Sequence, residues 1–304
     1  MNFAGGSIEL DVAESEKALS TEIGEELAMD AQTAAYGVVE VVDENMANAA
    51  RVHAVENGED LANYTMIAFG GAAPLHAARL CEKLGVDRLL VPLGAGVGSA
   101  IGFLRAPFSF EANRSVYMRL SQFDSSLIKN LFTELRDEAI RFVRRCDSHA
   151  NIESEFKVYM RYSGQGWEIP VVLNEKQAMH ADMKTFKRLF EDDYRALFGR
   201  IVDGMDIEIT VWAVNATTPS AEVQLAAQTQ SSGLAPTDAK RSIFDSALGE
   251  TRQASIVQRS AMRAGQVVHG PAAITEDETT IIVPTSREAI VHKDGCLDLT
   301  VREN

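Results

Sequence analysis

TMIAFGGAAPLHAAR, residues 65–79, is the stretch whose reading decides the fold. A short apolar run of Met66, Ile67, Ala68 and Phe69 ends in Gly70-Gly71. A proline and a run of small helix-forming residues follow. The pattern predicts a strand, a tight glycine turn and the start of a helix. Glycines there let backbone N–H groups approach a phosphate or a ribose, and a helix N-terminus adds partial positive charge. The same pair also serves proteins that only pack a helix closely against a sheet. Local pattern alone leaves both readings open, and context must separate them.

On the N-terminal side, 11–28 reads as a helix with Val12, Ala18, Leu19, Ile23 and Leu27 at helical spacing. A longer helix is predicted over 30–57. Its apolar face is expected to comprise Tyr36, Val39, Val42, Met46, Ala49 and Val52, and Asn57-Gly58 supplies the stop. On the C-terminal side come a helix over 75–84, a strand over 88–92, a glycine turn over 93–98 and a helix over 99–104, with Ser99 as its N-cap. This alternation implies a parallel-type α/β layer. After Pro107 the composition shifts. Strands are predicted over 109–120, 155–162, 167–173 and 207–216, with helices over 127–146 and 183–198. Residues 219–239 read as a surface linker, and the tail from 240 as short strands forming a small barrel or sandwich-like layer. Two domains are expected, 1–106 and 107–304.

The 304-residue chain carries a net charge of −15, which argues against a nucleic-acid or anionic-membrane partner. No apolar run reaches membrane-spanning length, and the N-terminus lacks the pattern of a signal peptide, so a cytoplasmic location is expected. Cys81, Cys146 and Cys296 lie far apart and read as reduced thiols, not a disulfide frame or a zinc site. No metal site is expected from the residues alone. The run Glu276-Asp277-Glu278 reads first as a solvated turn, with a divalent cation as the sharper alternative.

Several blocks together carry a family resemblance: NFAGG at 2–6, DENMANAARVHAVENG at 43–58, FGGAAPLHAARLCEKLGVDRLLVPLGAGVGSAIGF at 69–103, MRYSGQGWEIPV at 160–171, DDYRALFG at 192–199 and GPAAITEDETTIIVP at 271–284. With these in order, the chain resembles the C-terminal half of the hydantoinase A/5-oxoprolinase family. The block at 69–103 is the most specific. That resemblance implies half of an actin-like (ribonuclease H-like) ATPase domain of α/β class, followed by a mixed α+β, strand-rich C-terminal domain. It implies ATP with Mg2+ as cofactor, and nucleotide contact at Phe69, Gly70, Gly71, Ala72 and Pro74. Asn45, Arg51, Gly94, Gly96 and Ser99 become candidate cleft contacts, and His76 a weak catalytic candidate. The family's aspartate- and glycine-rich phosphate loop is absent from this chain, and Gly5-Gly6, with no strand or aspartate before it, cannot replace it.

Each of these residues also has a plainer reading. Gly94, Gly96 and Gly98 form a tight turn, since no acidic residue follows at the distance a dinucleotide unit needs. A histidine near a helix start is usually a structural hydrogen-bonding residue. Glu44, Asn45 and Arg51 would by default be a solvated face, and Glu56 is poorly spaced to pair with Arg51. Arg161, Gln165 and Glu168 around YSGQGWE suit a sharp hairpin. The expected function is part of an ATP-dependent amidohydrolase that opens a lactam or hydantoin ring, inactive without its N-terminal half or a partner subunit. The alternatives are a subunit of a biotin-independent ketone carboxylase acting on a small ketone, and a non-catalytic interaction module. An oligomeric assembly is expected.

Overall fold

The computed structural model describes residues 2–3, 7–220 and 229–302. Ala4, Gly5 and Gly6 of the first family block, and 221–228 of the expected linker, lie outside the described residues. The contacts divide the chain into two units, Met1–Leu104 with Gln224–Asn304, and Arg105–Val223.

The first unit opens with helix α1 (Val12–Leu19), N-capped by Asp11, and helix α2 (Ala31–Glu56), N-capped by Asp30, whose carboxylate accepts from the Thr33 amide at 2.6 Å. Strand β1 (Thr65–Ile67) leads into helix α3 (Ala73–Leu84), and strand β2 (Arg88–Val91) into helix α4 (Gly98–Arg105). β1 and β2 run parallel, with Met66 opposite Leu89. Helix α4 begins at Gly98, so Ser99 lies inside its first turn instead of capping it.

The expected inner face of α2 is not the one that is buried. Ala34, Asp43, Ala47 and Ala54 are buried, while Val39, Val42, Met46 and Val52 remain exposed, as do Val38, Val41 and Val55. Small residues and ion pairs make the contact with α3. Glu40 pairs with Arg79 at 3.0 Å and with Lys83 at 2.5 Å, and Glu44 pairs with Lys83 at 2.8 Å. Alanines and Asp43 are buried at this contact, and the larger valines stay exposed, Val39 beside α3 among them.

The second unit is an antiparallel sheet covered by helices. It comprises strand β3 (Ser109–Arg114), helix α5 (Ser125–Cys146), strands β4 (Glu153–Tyr162) and β5 (Ile169–Leu173), helix α6 (Met183–Phe198) and strand β6 (Ile207–Thr217). The strand order is β3-β6-β4-β5, with the short strand Met118–Arg119 also on β6. Alternation along β4 buries Phe156, Val158, Met160 and Tyr162. Helical spacing along α5 buries Ile128, Phe132, Leu135, Ala139 and Val143. Phe132 meets Phe156 and Trp212 edge-on, each at 5.5 Å.

The tail then returns to the first unit. Its strands are β7 (Ala239–Asp245), β8 (Glu250–Gln258), β9 (Gln266–His269), β10 (Ala272–Thr275), β11 (Thr280–Val283), β12 (Arg287–Val291) and β13 (Leu297–Val301). β13 pairs antiparallel with β2, placing Leu299 opposite Leu89. The six-stranded order is Gly233–Leu234, β9, β12, β13, β2, β1, and a second sheet runs β7-β8-β10-β11. Both sheets and α3 share one core that includes Cys81, Leu89, Ile274, Ile281 and Leu299. The buried Arg287 donates to the carbonyls of Val86 and Asp87, both at 2.7 Å. The parallel-type layer expected around β1 and β2 is thus part of a mixed sheet. The tail, grouped from sequence with the second region, supplies the remaining strands of that sheet. No helix among the described residues is long and apolar enough to cross a membrane.

Candidate functional site

Three turns of the first unit meet beyond the C-terminal ends of β1 and β2. The first is Phe69–Ala72. Gly70 has φ +117°, a backbone region that side chains disfavour, and its amide donates to the Ala95 carbonyl at 2.9 Å. The second is the 94–98 turn. A Cβ on Gly98 would strike the Phe69 ring at 2.2 Å, and one on Gly96 would meet Cβ of Glu278 at 2.6 Å. The third is the 276–279 turn, whose Thr279 hydroxyl donates to the Gly71 carbonyl at 2.6 Å. These glycines are therefore required by close approach of the turns to one another. Around Gly70 the space is open, since a Cβ there would meet nothing within 4 Å.

Helix α3 starts at this junction. Ala72 stands at its N-cap with no side chain accepting from the first amides, and Pro74 lies in the first turn. Pro74 has no N–H and the Leu75 amide donates to the Ala72 carbonyl at 3.1 Å, so the Ala73 amide is the group of the first turn that faces the junction without a side-chain cap.

His76, one turn in, is oriented from behind. Its Nδ1 lies 2.7 Å from Oδ1 of Asp43 on α2. The Asp43 side chain is 3% exposed and that of His76 25%. A proton on Nδ1 shared with the carboxylate leaves Nε2 as the acceptor nitrogen, and no hydrogen bond to it occurs among the described residues. Asp43 escaped the sequence reading, which singled out its neighbours Glu44 and Asn45. The available signal was an acidic residue within a small-residue helical stripe, where a buried carboxylate needs a partner.

The other candidates are placed differently. Arg51 donates to Glu44 and Asn48, at 2.8 and 2.7 Å, and to the Lys83 carbonyl at 2.8 Å, tying α2 to the end of α3. Hydrogen bonds from Lys83 first, then Arg51, hold the Glu44 carboxyl down at about 2. Glu40 is also held below the usual carboxylate range, first by the hydrogen bond from Arg79. Asn45 is exposed on α2. In the second unit, Arg161 donates to Glu208 at 3.0 Å, Gln165 to the Tyr194 hydroxyl at 3.0 Å, and Glu168 accepts from Thr210, so the YSGQGWE turn is built from internal contacts.

The acidic run at 276–278 separates into two roles. Glu276 turns onto Arg259, with 2.9 Å between their charged atoms, and burial pushes its carboxyl above the usual range. Arg259 in turn donates to the carbonyls of Val91, Pro92 and Gly295. Asp277 and Glu278 stay exposed. The buried pair therefore fixes both the end of β2 and the base of the turn that holds Gly71 and Gly96.

Residues 1–112 match the hydantoinase/oxoprolinase family profile, and residues 120–301 match that of the hydantoinase/oxoprolinase C-terminal domain. The chain belongs to the hydantoinase/oxoprolinase family. An uncharacterized protein of Methanocaldococcus jannaschii is 28% identical over 306 residues, covering 97% of this chain and 42% of that protein. The caprolactamase subunit alpha of Pseudomonas jessenii is 25% identical over 305 residues, covering 97% of this chain and 43% of its own length. A nucleotide-free acetone carboxylase structure, described for ATP-dependent acetone carboxylation, shares the fold with a TM-score of 0.78 at 23% identity, over 99% of this chain and 44% of the other. This hydantoinase/oxoprolinase chain spans about two-fifths of the length of the curated relatives it matches. Its glycine junction lies within the part covered by the first profile, while Glu276 and Thr279 are covered by the second.

Proposed function

We propose that the three-turn junction is the nucleoside half of an ATP site in an enzyme that opens a cyclic amide, and that a second half or partner subunit supplies the groups gripping the phosphates. One observation carries the reading: an uncapped helix N-terminus beside open space at Gly70, with an Asp43-oriented imidazole one turn away. The caprolactamase relative supports a lactam substrate, and the family itself supports hydrolysis of such rings.

ATP would supply phosphorylation of the amide oxygen, which makes a stable amide open to attack. In this chain Phe69, Gly70, Gly71, Ala72 and Pro74 would meet the sugar end, with Gly94, Gly96 and Ser99 lining the turn beside them. His76 would take the proton from the attacking water at Nε2, with Asp43 holding the ring and stabilising the imidazolium. Among the described residues no three of His, Cys, Asp and Glu converge as a ligand set for a metal ion. The half of an actin-like ATPase domain expected from the family fits this division of labour. The exposed valine face of α2 supports a covering partner, because a long unpartnered apolar stripe is unusual on a solvated helix.

The test is ATP turnover with 5-oxoproline, hydantoin or caprolactam. The purified chain is expected to show none above background, and a chain joined to or co-expressed with a phosphate-loop half is expected to show ring-dependent turnover. Robust turnover by the chain alone overturns the reading. Likeness to the acetone carboxylase fold favours a second reading, carboxylation of a small ketone. Bicarbonate- and ketone-dependent ATP consumption by the assembled protein would select it.

A further inference from the structure

We propose that a cavity of about 390 Å3 between α2, α3 and the β7–β8 hairpin binds a small organic cation with an apolar body, such as an ammonium group on a ring or short alkyl chain. The cavity lies wholly in the first unit, to the side of α3 that carries Ala78, Arg79 and Glu82. Its size falls in the lower part of the range of about 300–1,000 Å3 usual for small-molecule sites.

One wall is aromatic. The rings of Tyr36 and Phe244 stack with centroids 3.6 Å apart and planes 11° from parallel. Gln32 donates to the Tyr36 hydroxyl at 2.6 Å and fixes that ring. The inner faces cover one another, so the stacked pair offers an outer face to a cation and contact area to an apolar body.

The charged groups decide the sign of the ligand. Asp43, Glu82 and Asp245 line the cavity against one guanidinium, that of Arg79. Arg79 is already committed: it donates through Nη2 to Glu40 at 3.0 Å and through Nη1 to Glu82 at 3.1 Å. Asp245 is held by the Thr285 hydroxyl at 2.7 Å and the Ala247 amide at 3.1 Å, which fixes its charge in place. An anion entering the cavity would find its one guanidinium occupied and three carboxylates nearby. A cation would find excess negative charge beside a low-dielectric aromatic wall, where such attraction is strengthened. Asp43 also holds His76, so the cavity and the glycine junction share one carboxylate.

The test is calorimetric titration of the purified protein with 2-phenylethylammonium, set against the neutral 2-phenylethanol and the anionic 3-phenylpropionate. Saturable one-to-one binding is expected for the amine, with both comparison compounds at least tenfold weaker. Val39→Trp, placed on the rim from α2, fills the cavity and is expected to weaken the amine at least tenfold with the melting temperature retained. Glu82→Gln keeps the shape, removes one charge and is expected to weaken it severalfold, which serves should the tryptophan variant fold poorly. Non-saturable uptake, equal binding of the three compounds, or wild-type affinity in both variants overturns the proposal.

Discussion

Both units close a core of large apolar residues, but helix α2 of the first treats its side chains unlike the helices of the second. In the second, large residues fill a closed core: Phe132, Phe156, Phe186, Phe190 and Trp212 are fully buried between one sheet and its helices. In the first, the 26-residue helix α2 buries alanines and a carboxylate, while Val55 stays 77% exposed and Val41 60%. Burial of large groups is what stabilises a domain by itself. The second unit therefore has the anatomy of a self-sufficient fold. In the first, the core lies between the two sheets and α3, while α2 is joined to α3 by alanines and ion pairs and keeps its valines exposed.

The contrast breaks most readily at Phe132. Phe132→Ala is expected to cost about 3–5 kcal/mol, read as a lowered urea midpoint, because the surrounding aromatic contacts cannot collapse onto the hole. A loss under about 1 kcal/mol would mean that the second core is loosely packed. Next is the dyad in the first unit. His76→Asn, whose amide can still donate to Asp43 in place of Nδ1, is expected in the assembled enzyme to lower kcat about a hundredfold or more with thermal stability retained. Asp43→Asn should follow it in activity, and wild-type kcat in both would remove His76 from the reaction.

Gly96→Ala is expected to cost about 1–3 kcal/mol by forcing the 276–279 turn outward, and to weaken ATP binding with it. Thermal denaturation alongside nucleotide titration measures both effects. Acid acts on the α2–α3 contact. Glu40 and Glu44 are held below the usual carboxylate value, so the folded state binds fewer protons than the unfolded chain as pH drops. The support they give is fully present above about 4.5 and is lost as pH falls toward about 2. Amide protection of α2 should fall in that window before that of the second unit, and by less at high salt, since the half-exposed Glu44 pairs are screened there. The smallest effect is expected on the outer face of α2. Val41→Ser should change the stability of the isolated chain by no more than about 0.5 kcal/mol, yet weaken association with a partner half.

What the sequence made legible follows from range. The stop of α2 was readable from Asn57-Gly58, and α3 and α6 end at Leu84 and Phe198 as their spacing predicts, because such signals act within a turn. The glycine turns at 70–71 and 94–98 were readable for the same reason. The face of α2 was misjudged because apolar periodicity marks a stripe but not what covers it. Asp43 was missed because its meaning depends on His76, 33 residues away. The clamp of Arg259, Glu276 and Thr279 on β2 and Gly71 joins positions about 170–210 residues apart, and no local pattern announces such a pairing. The return of β13 to β2 belongs to the same class. A strand of five residues shows its alternation but not its neighbour.

The central claim is that open space beside Gly70 at the start of α3 receives the nucleotide. ATP affinity of the assembled protein, wild type against Gly70→Val, tests it most directly. The account expects affinity to fall more than tenfold while the second unit unfolds at its usual denaturant concentration. Unchanged affinity in a folded Gly70→Val protein would contradict it.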